Sequence, residues 1–328
     1  MTDWRYKLAE HRGTLVALAV FLILFVIYGG NHPAGFTANV INTAANKGVL
    51  LALVAMAQTL VVITAGIDLS VGMIFVLTNC LASAIVVGSP LTTALGVLGV
   101  LAAGILCGAI NGLIVIFGRL QPIVTTIATG AVYFGIALWL RPQPAGSDAF
   151  NSGLADAFTG KLPGGVPASA IALLAVVLII WVPFRRSAVG RDAYAVGSAE
   201  VAAYMSGVSI RRAKFVAYTL AGLLAAIGGL FLTFITYSGE ASLAGGGNYT
   251  LFSIASVVLG GVSLFGGVGS AVGAIFGALI FRTVGDLLFV FNLDPLYQPL
   301  FQGVVLFVAV CLGSVRLFQV RNRLDLFG

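Results

Sequence analysis

Charge is scarce in this chain: of 328 residues, 17 are Lys or Arg and 11 are Asp or Glu, 9% together, against 59% apolar residues. Soluble domains carry about 25% charged residues, so the deficit excludes an ordinary water-soluble fold. Histidine is nearly missing. His11 and His32 lie near the two ends of the first apolar run, which leaves no histidine-based triad or His-Glu-x-x-His metal site for the later segments. Cys80, Cys107 and Cys311 all fall inside apolar stretches without pairing or ligand spacing, so neither a disulfide framework nor a zinc site is expected. There is no Walker A sequence either, and no catalytic residues are assigned.

What the chain does have is glycine, 42 residues of it, and long apolar runs. Helices satisfy their own backbone groups in lipid, so this composition predicts an all-α polytopic membrane protein. The expected spans are 14–28, 47–65, 71–88, 92–117, 122–140, 168–184, 213–236, 250–264, 268–291 and 297–313, about ten transmembrane helices. Arg5, Lys7 and Arg12 precede the first run as in a signal peptide, but no convincing cleavage site follows. That run reads as a first helix, with Trp4 and Tyr6 suited to the interface.

The net charge of +6 is explained by topology rather than nucleic acid, because the basic residues gather at the ends of apolar runs. With both termini cytoplasmic, Arg5, Lys7, Arg12, Arg119, Arg185, Arg186, Arg191, Arg211, Arg212, Lys214, Arg316, Arg321 and Arg323 all lie inside. Only Lys47, Arg141 and Lys161 then lie outside, which fits the positive-inside rule. Residues 1–328 form one transmembrane domain of two pseudo-repeated halves, about 1–165 and 166–328, with a cytoplasmic coupling loop at 185–214. The Pro-rich stretch 141–167 becomes the long external loop between the halves.

A weak echo joins those halves. Gly66-Ile67-Asp68-Leu69-Ser70-Val71-Gly72 and Gly261-Val262-Ser263-Leu264-Phe265-Gly266-Gly267 each follow an apolar run. Glycine interruptions in corresponding places of two halves point to a transport path. They are either breaks within the membrane or tight turns at its surface, and Asp68, Ser70 and Ser263 suit helix N-caps in either setting. A carboxylate at depth costs about 2.5–3.5 kcal/mol on an insertion scale, so Asp68 is read first as a local cap and second as a substrate contact.

Gln58, Asp68, Ser70, Asn79, Asn111 and Ser263 are the candidates for the substrate path, since amides and hydroxyls can bind a neutral polar solute, although each can equally join helices. Gln298 and Gln302 are further polar residues inside spans. Arg282 and Asp286, four apart, share one helix face and read as a structural pair rather than a proton relay. Gly104, Gly108 and Gly112 recur every four residues and predict close packing of one helix on a neighbour.

Between Arg185 and Lys214 the chain forms a basic island. Within it a short helix is expected, N-capped by Ser198, with Glu200 in its first turn and Gly207 as its stop. Val201, Tyr204 and Met205 make an apolar stripe too short to span a membrane. Such a stripe fits either a partner's groove or the membrane surface.

These features in combination resemble a known family. Gly66 to Gly72, Asn111-Gly112, Gly190-Arg191-Asp192-Ala193-Tyr194-Ala195-Val196-Gly197, Ser206-Gly207-Val208 and Val257-Val258-Leu259-Gly260-Gly261 with Gly266-Gly267 look like the ribose-type permeases of bacterial ABC importers, within the branched-chain amino acid and sugar permease superfamily. The resemblance covers nearly the whole chain. It implies a multi-pass inner-membrane subunit that pairs with a second permease copy or homologue, a cytoplasmic ABC ATPase carrying ATP and magnesium, and a periplasmic binding protein delivering a monosaccharide or related polyol. It assigns Ser198, Glu200, Val201, Tyr204, Met205 and Gly207 to the ATPase contact, and no cofactor to this chain. The loops 35–46 and 239–248 are expected to meet the binding protein. A branched-chain amino acid or nucleoside permease, or an ion-coupled transporter using Asp68 or Arg282 with Asp286, are the alternatives.

Overall fold

Serine, threonine and proline at helix starts organise much of the architecture. The computed structural model describes residues 12–146, 150, 152–305, 307, 308 and 311. Helix α1 is Arg12–Asn31, and α2, Ala38–Ile63, begins where the Thr37 hydroxyl accepts from Val40 N at 3.4 Å. Then come α3, Val71–Ile85, α4, Pro90–Phe117, and α5, Pro122–Leu140. Proline opens both α4 and α5, where its missing N–H costs nothing.

Helix α6, Ser152–Thr159, lies in the long connection, and α7 is Ala168–Arg186. Pro183 sits inside α7, and the helix accommodates it with a wide π turn at Val177–Trp181 just before it. The basic island is two helices, α8 (Ala188–Ser198) and α9 (Glu200–Met205). Three long helices follow: α10 (Ile210–Thr236), α11 (Leu243–Leu259) and α12 (Ala271–Val290). Strand β1, Ala145–Gly146, pairs antiparallel with β2, Ser238–Gly239, and isolated antiparallel bridges join Val87 to Phe150 and Lys161 to Pro167. A helical segment at 298–305 packs Gln298 and Gln302 toward Gly285.

Seven of these helices are long and apolar enough to cross a membrane, and α3 and α11 are shorter apolar helices. The chain is therefore an all-α polytopic membrane protein. At 1.5 Å per residue α3 and α11 reach only about 22 and 25 Å, short of a hydrocarbon core of roughly 30 Å. Helix α2 is the centre: 89% of its most apolar stretch is buried, against 17% for α1. The expected glycine packing is present between α4 and α10, where a Cβ on Gly108 would strike the Tyr218 carbonyl and one on Gly104 the Ala226 methyl.

Two boundaries differ from the sequence reading. Helix α2 starts at Ala38, so Lys47 is not in an outer loop but well inside the helix, paired to Asp286 at 3.4 Å. Helix α11 starts at Leu243, where Ser242 caps Gly245 N, so most of 35–46 and 239–248 is helix rather than loop. The described residues of 141–167 form a cap: Arg141 binds Ser83 Oγ and O at 2.9 and 2.8 Å, and Phe158 of α6 stacks on Phe234 of α10. Trp4, Arg5, Tyr6, Lys7, His11, Arg316, Arg321 and Arg323, to which the sequence assigns interfacial or cytoplasmic positions, lie outside the described residues.

Candidate functional site

The first glycine turn is built as a buried polar knot. Asp68 is 1% exposed, and its Oδ1 accepts from Ser70 N at 2.8 Å and from Ser70 Oγ at 2.6 Å. This is the expected local cap, made by Asp68; Ser70 holds the N-cap position of α3 without a side-chain bond of its own to the helix. Asn111 of α4 donates from Nδ2 to Ser70 Oγ at 2.7 Å, and Tyr133 of α5 reaches Asn111 Oδ1 at 3.0 Å. Leu69 N donates to Thr126 Oγ1 at 2.9 Å. The buried Gln58 amide, oriented so that both its atoms are satisfied, brackets the Asp68 backbone, donating to its carbonyl at 2.9 Å and accepting from its N–H at 3.2 Å.

Four of the candidate residues thus come together, Gln58, Asp68, Ser70 and Asn111, and two do not. Asn79 lies further along α3, donating to Thr233 Oγ1 and the Ser238 carbonyl and accepting from Glu240 N, which pins the chain leaving α10. Ser263 belongs to the second turn and caps no helix. The cap of α12 is Ser270, whose Oγ accepts from Val272 N at 3.2 Å.

Tyr133, Thr126 and Tyr218 were missed by the sequence reading, although hydroxyls inside apolar spans were the available signal. Tyr218 Oη and Asp68 Oδ2 are both buried without a hydrogen-bond partner among the described residues.

The second turn meets the first. Gly267 N donates to the Ile63 carbonyl at 3.0 Å, and a Cβ on Gly266 would sit 2.8 Å from Ala65 N. Gly197, one residue before the end of α8, is wedged between them: a Cβ there would strike the Ile63 carbonyl and lie 2.6 Å from Gly267 N. Gly266 and Gly267 have φ of +88° and +70°, which glycine adopts freely. The residues leading into the first turn, the second turn and the end of α8 therefore meet largely through backbone, with the Ser198 side chain also against Gly267.

From that joint the chain projects α9. Its end is a full Schellman motif, with Val208 N donating to Ala203 O and Gly207 N to Tyr204 O, and Gly207 at φ +79°. Glu200 pairs with Lys214 at 2.8 Å. The expected Ser198 cap is not formed: α8 runs through Ser198, whose Oγ donates back to Tyr194 O, and the extended residue before α9 is Ala199. Val201, Tyr204 and Met205 are 78%, 70% and 81% exposed.

The family model for the permease component of branched-chain amino acid transport systems matches residues 40–310. The chain belongs to this permease family. The permease is 34% identical over 296 residues to the ribose import permease of Bacillus subtilis, covering 90% of both chains. It is 34% identical to the fructose import permease of Rhizobium meliloti, covering 92% of this chain and 84% of the relative. It is also 31% identical to the D-allose permease of Escherichia coli K12, covering 92% and 91%. No solved structure matches. The permease is a transport subunit of the ribose type and not an enzyme.

Proposed function

We propose that this permease, with a second copy or homologue, forms the pathway by which a monosaccharide or related neutral polyol crosses the bacterial inner membrane, driven by a cytoplasmic ABC ATPase. An external binding protein delivers the solute. The observation that carries this reading is α9: a helix exposing Val201, Tyr204 and Met205, which starts three residues after Gly197, where α8 packs on Ile63 and Gly267. An apolar stripe of this kind fits a groove on a soluble partner. ATP-driven closure of that partner would push α9 and α8 against Ile63 and Gly267, biasing the membrane helices between two states by differential contact.

The described charges support a cytoplasmic island, with Arg119, Arg185, Arg186, Arg191, Arg211, Arg212 and Lys214 at the end of the glycine turns and Arg141 and Lys161 in the opposite cap. On this topology both termini are cytoplasmic and the chain crosses about ten times, in two related halves. Sugar as the cargo is supported by the relatives, whose names specify ribose, fructose and D-allose. Gln58, Asp68, Ser70, Asn111 and Asn79 then act mainly by shaping the path's helices, their polar atoms turned to one another and to backbone. The deciding experiment reconstitutes the permease with its ATPase and binding protein and measures ATPase stimulation by pentoses, hexoses and branched-chain amino acids. Stimulation by sugars is expected. Stimulation by amino acids alone, or gradient-driven uptake without the ATPase, would overturn the reading.

A further inference from the structure

Two cavities adjoin at the end of the molecule opposite the glycine turns, and Tyr28 and Asp286 line both. The first, about 280 Å³, is a trough walled by Phe21 and Phe25 of α1, Ala45 of α2, Ala170 and Leu173 of α7, and Leu279 of α12. The second, about 300 Å³, is more polar than the first, with His32, Asn39, Thr43 and Lys47 in its wall beside Val40 and Phe289. The pair is amphipathic, an apolar trough adjoining a mixed chamber that carries the polar groups.

The charges at the junction are unbalanced. Asp286, 6% exposed, faces two cations, Lys47 Nζ at 3.4 Å and Arg282 Nη2 at 3.6 Å. Both separations exceed the roughly 2.7–2.9 Å of a tight charge-assisted hydrogen bond. Arg282 Nε is buried and has no hydrogen-bond partner among the described residues. A buried guanidinium donor left unpaired is costly, and two partly desolvated cations sharing one carboxylate favour a further anion. Helices α1 and α7, which flank the trough, are the two least buried of the long helices, at 17% and 28%, so their outer faces meet lipid.

We propose that this double cavity is a binding site for a phospholipid with an anionic headgroup. An acyl chain lies in the trough between α1 and α7, and the phosphate is held by Arg282 and Lys47. The assignment rests only on the chain being an integral membrane protein, not on its cargo or its ATPase.

The test is native mass spectrometry of the full-length permease released from detergent, titrated with phosphatidylglycerol or with phosphatidylcholine of the same chains. One retained phosphatidylglycerol is expected, favoured about tenfold (about 1.4 kcal/mol): both lipids offer a phosphate, but the fixed positive charge of choline is repelled by the surplus cation of Lys47 and Arg282. Arg282→Gln should abolish that preference. Lys47→Gln, which leaves the Arg282 and Asp286 pair intact, should reduce it, guarding against misfolding of the first variant. Ala170→Phe, which fills the trough, should lower retention of both lipids. Equal retention of the two lipids by the unaltered chain, or unchanged retention in all three variants, would overturn the proposal. So would a disulfide-linked dimer formed by Ala170→Cys, which would make the trough an interface between two copies.

Discussion

Gly197 sits against the carbonyl oxygen of Ile63 with no space for a methyl group between them. Beside that oxygen, facing the same edge of Gly197, is Gly267 N, itself bonded to the carbonyl at 3.0 Å. A side chain at 197 would have to push backbone, not a flexible neighbour, so the joint transmits displacement without slack.

Gly197→Val is therefore expected to separate α8 from both turns. Transport should fall at least tenfold while the chain still inserts, because the substitution is confined to one end of the molecule. Uptake in proteoliposomes with ATPase present measures the loss, and ATP hydrolysis that continues without uptake is the signature of a broken linkage. Full uptake by Gly197→Val would remove the joint from the mechanism.

The exposed stripe of α9 gives a second test. Val201→Asp with Met205→Asp places two carboxylates on a face that is 78% and 81% exposed in the isolated chain. The permease should fold unchanged, since neither side chain contributes to its core, yet burying those charges in a partner's groove costs several kcal/mol. Loss of the ATPase on pull-down is expected. If the ATPase stays bound and transport is full, α9 is not the docking element.

Much of the fold could be read from the chain because the strongest signals are local. Pro122 opens α5 and the apolar run closes it, and both limits were read to the residue. The start of α2 was misread because Asn39, Asn42, Asn46 and Lys47 resemble a polar loop; all four find partners far along the chain, Asn39 on Lys161, Asn42 and Asn46 on the Thr159 carbonyl and Lys47 on Asp286. The start of α11 was hidden by Gly245-Gly246-Gly247, a run that looks like a breaker. Gly246 is there because α3 approaches it at Gly72, a contact no periodicity reveals. The same holds for the polar knot. Asp68 as a cap was legible from its neighbours, whereas Asn111, Tyr133 and Thr126 join it from other helices. Ser198 was mistaken for a cap because Gly190 and Gly197 made α8 look unlike a helix.

The α4 and α10 contact predicts a stability effect separable from coupling. Gly222 faces the Gly104 carbonyl and Gly108 backbone, so Gly222→Leu must force the two helices apart. Overpacking costs about 1–3 kcal/mol, more where backbone is displaced. A lower thermal midpoint in detergent is expected. A midpoint equal to that of the unaltered chain would show that these helices separate freely.

Asp68 distinguishes a structural cap from a group on the path. Its Oδ1 receives both Ser70 N and Ser70 Oγ, which an asparagine carbonyl can also do. Asp68→Asn should therefore keep near-normal stability and transport. Asp68→Ala leaves two buried donors unpaired and should cost about 1–3 kcal/mol, read as a lowered unfolding midpoint. Because Asn111 bonds the same Ser70 hydroxyl that Asp68 holds, and Tyr133 bonds Asn111 in turn, Asp68→Ala combined with Asn111→Ala should cost less than the sum of the two single changes. If Asp68→Asn instead assembles normally and abolishes transport, the carboxylate's charge is required, and the residue belongs to the pathway rather than to the turn.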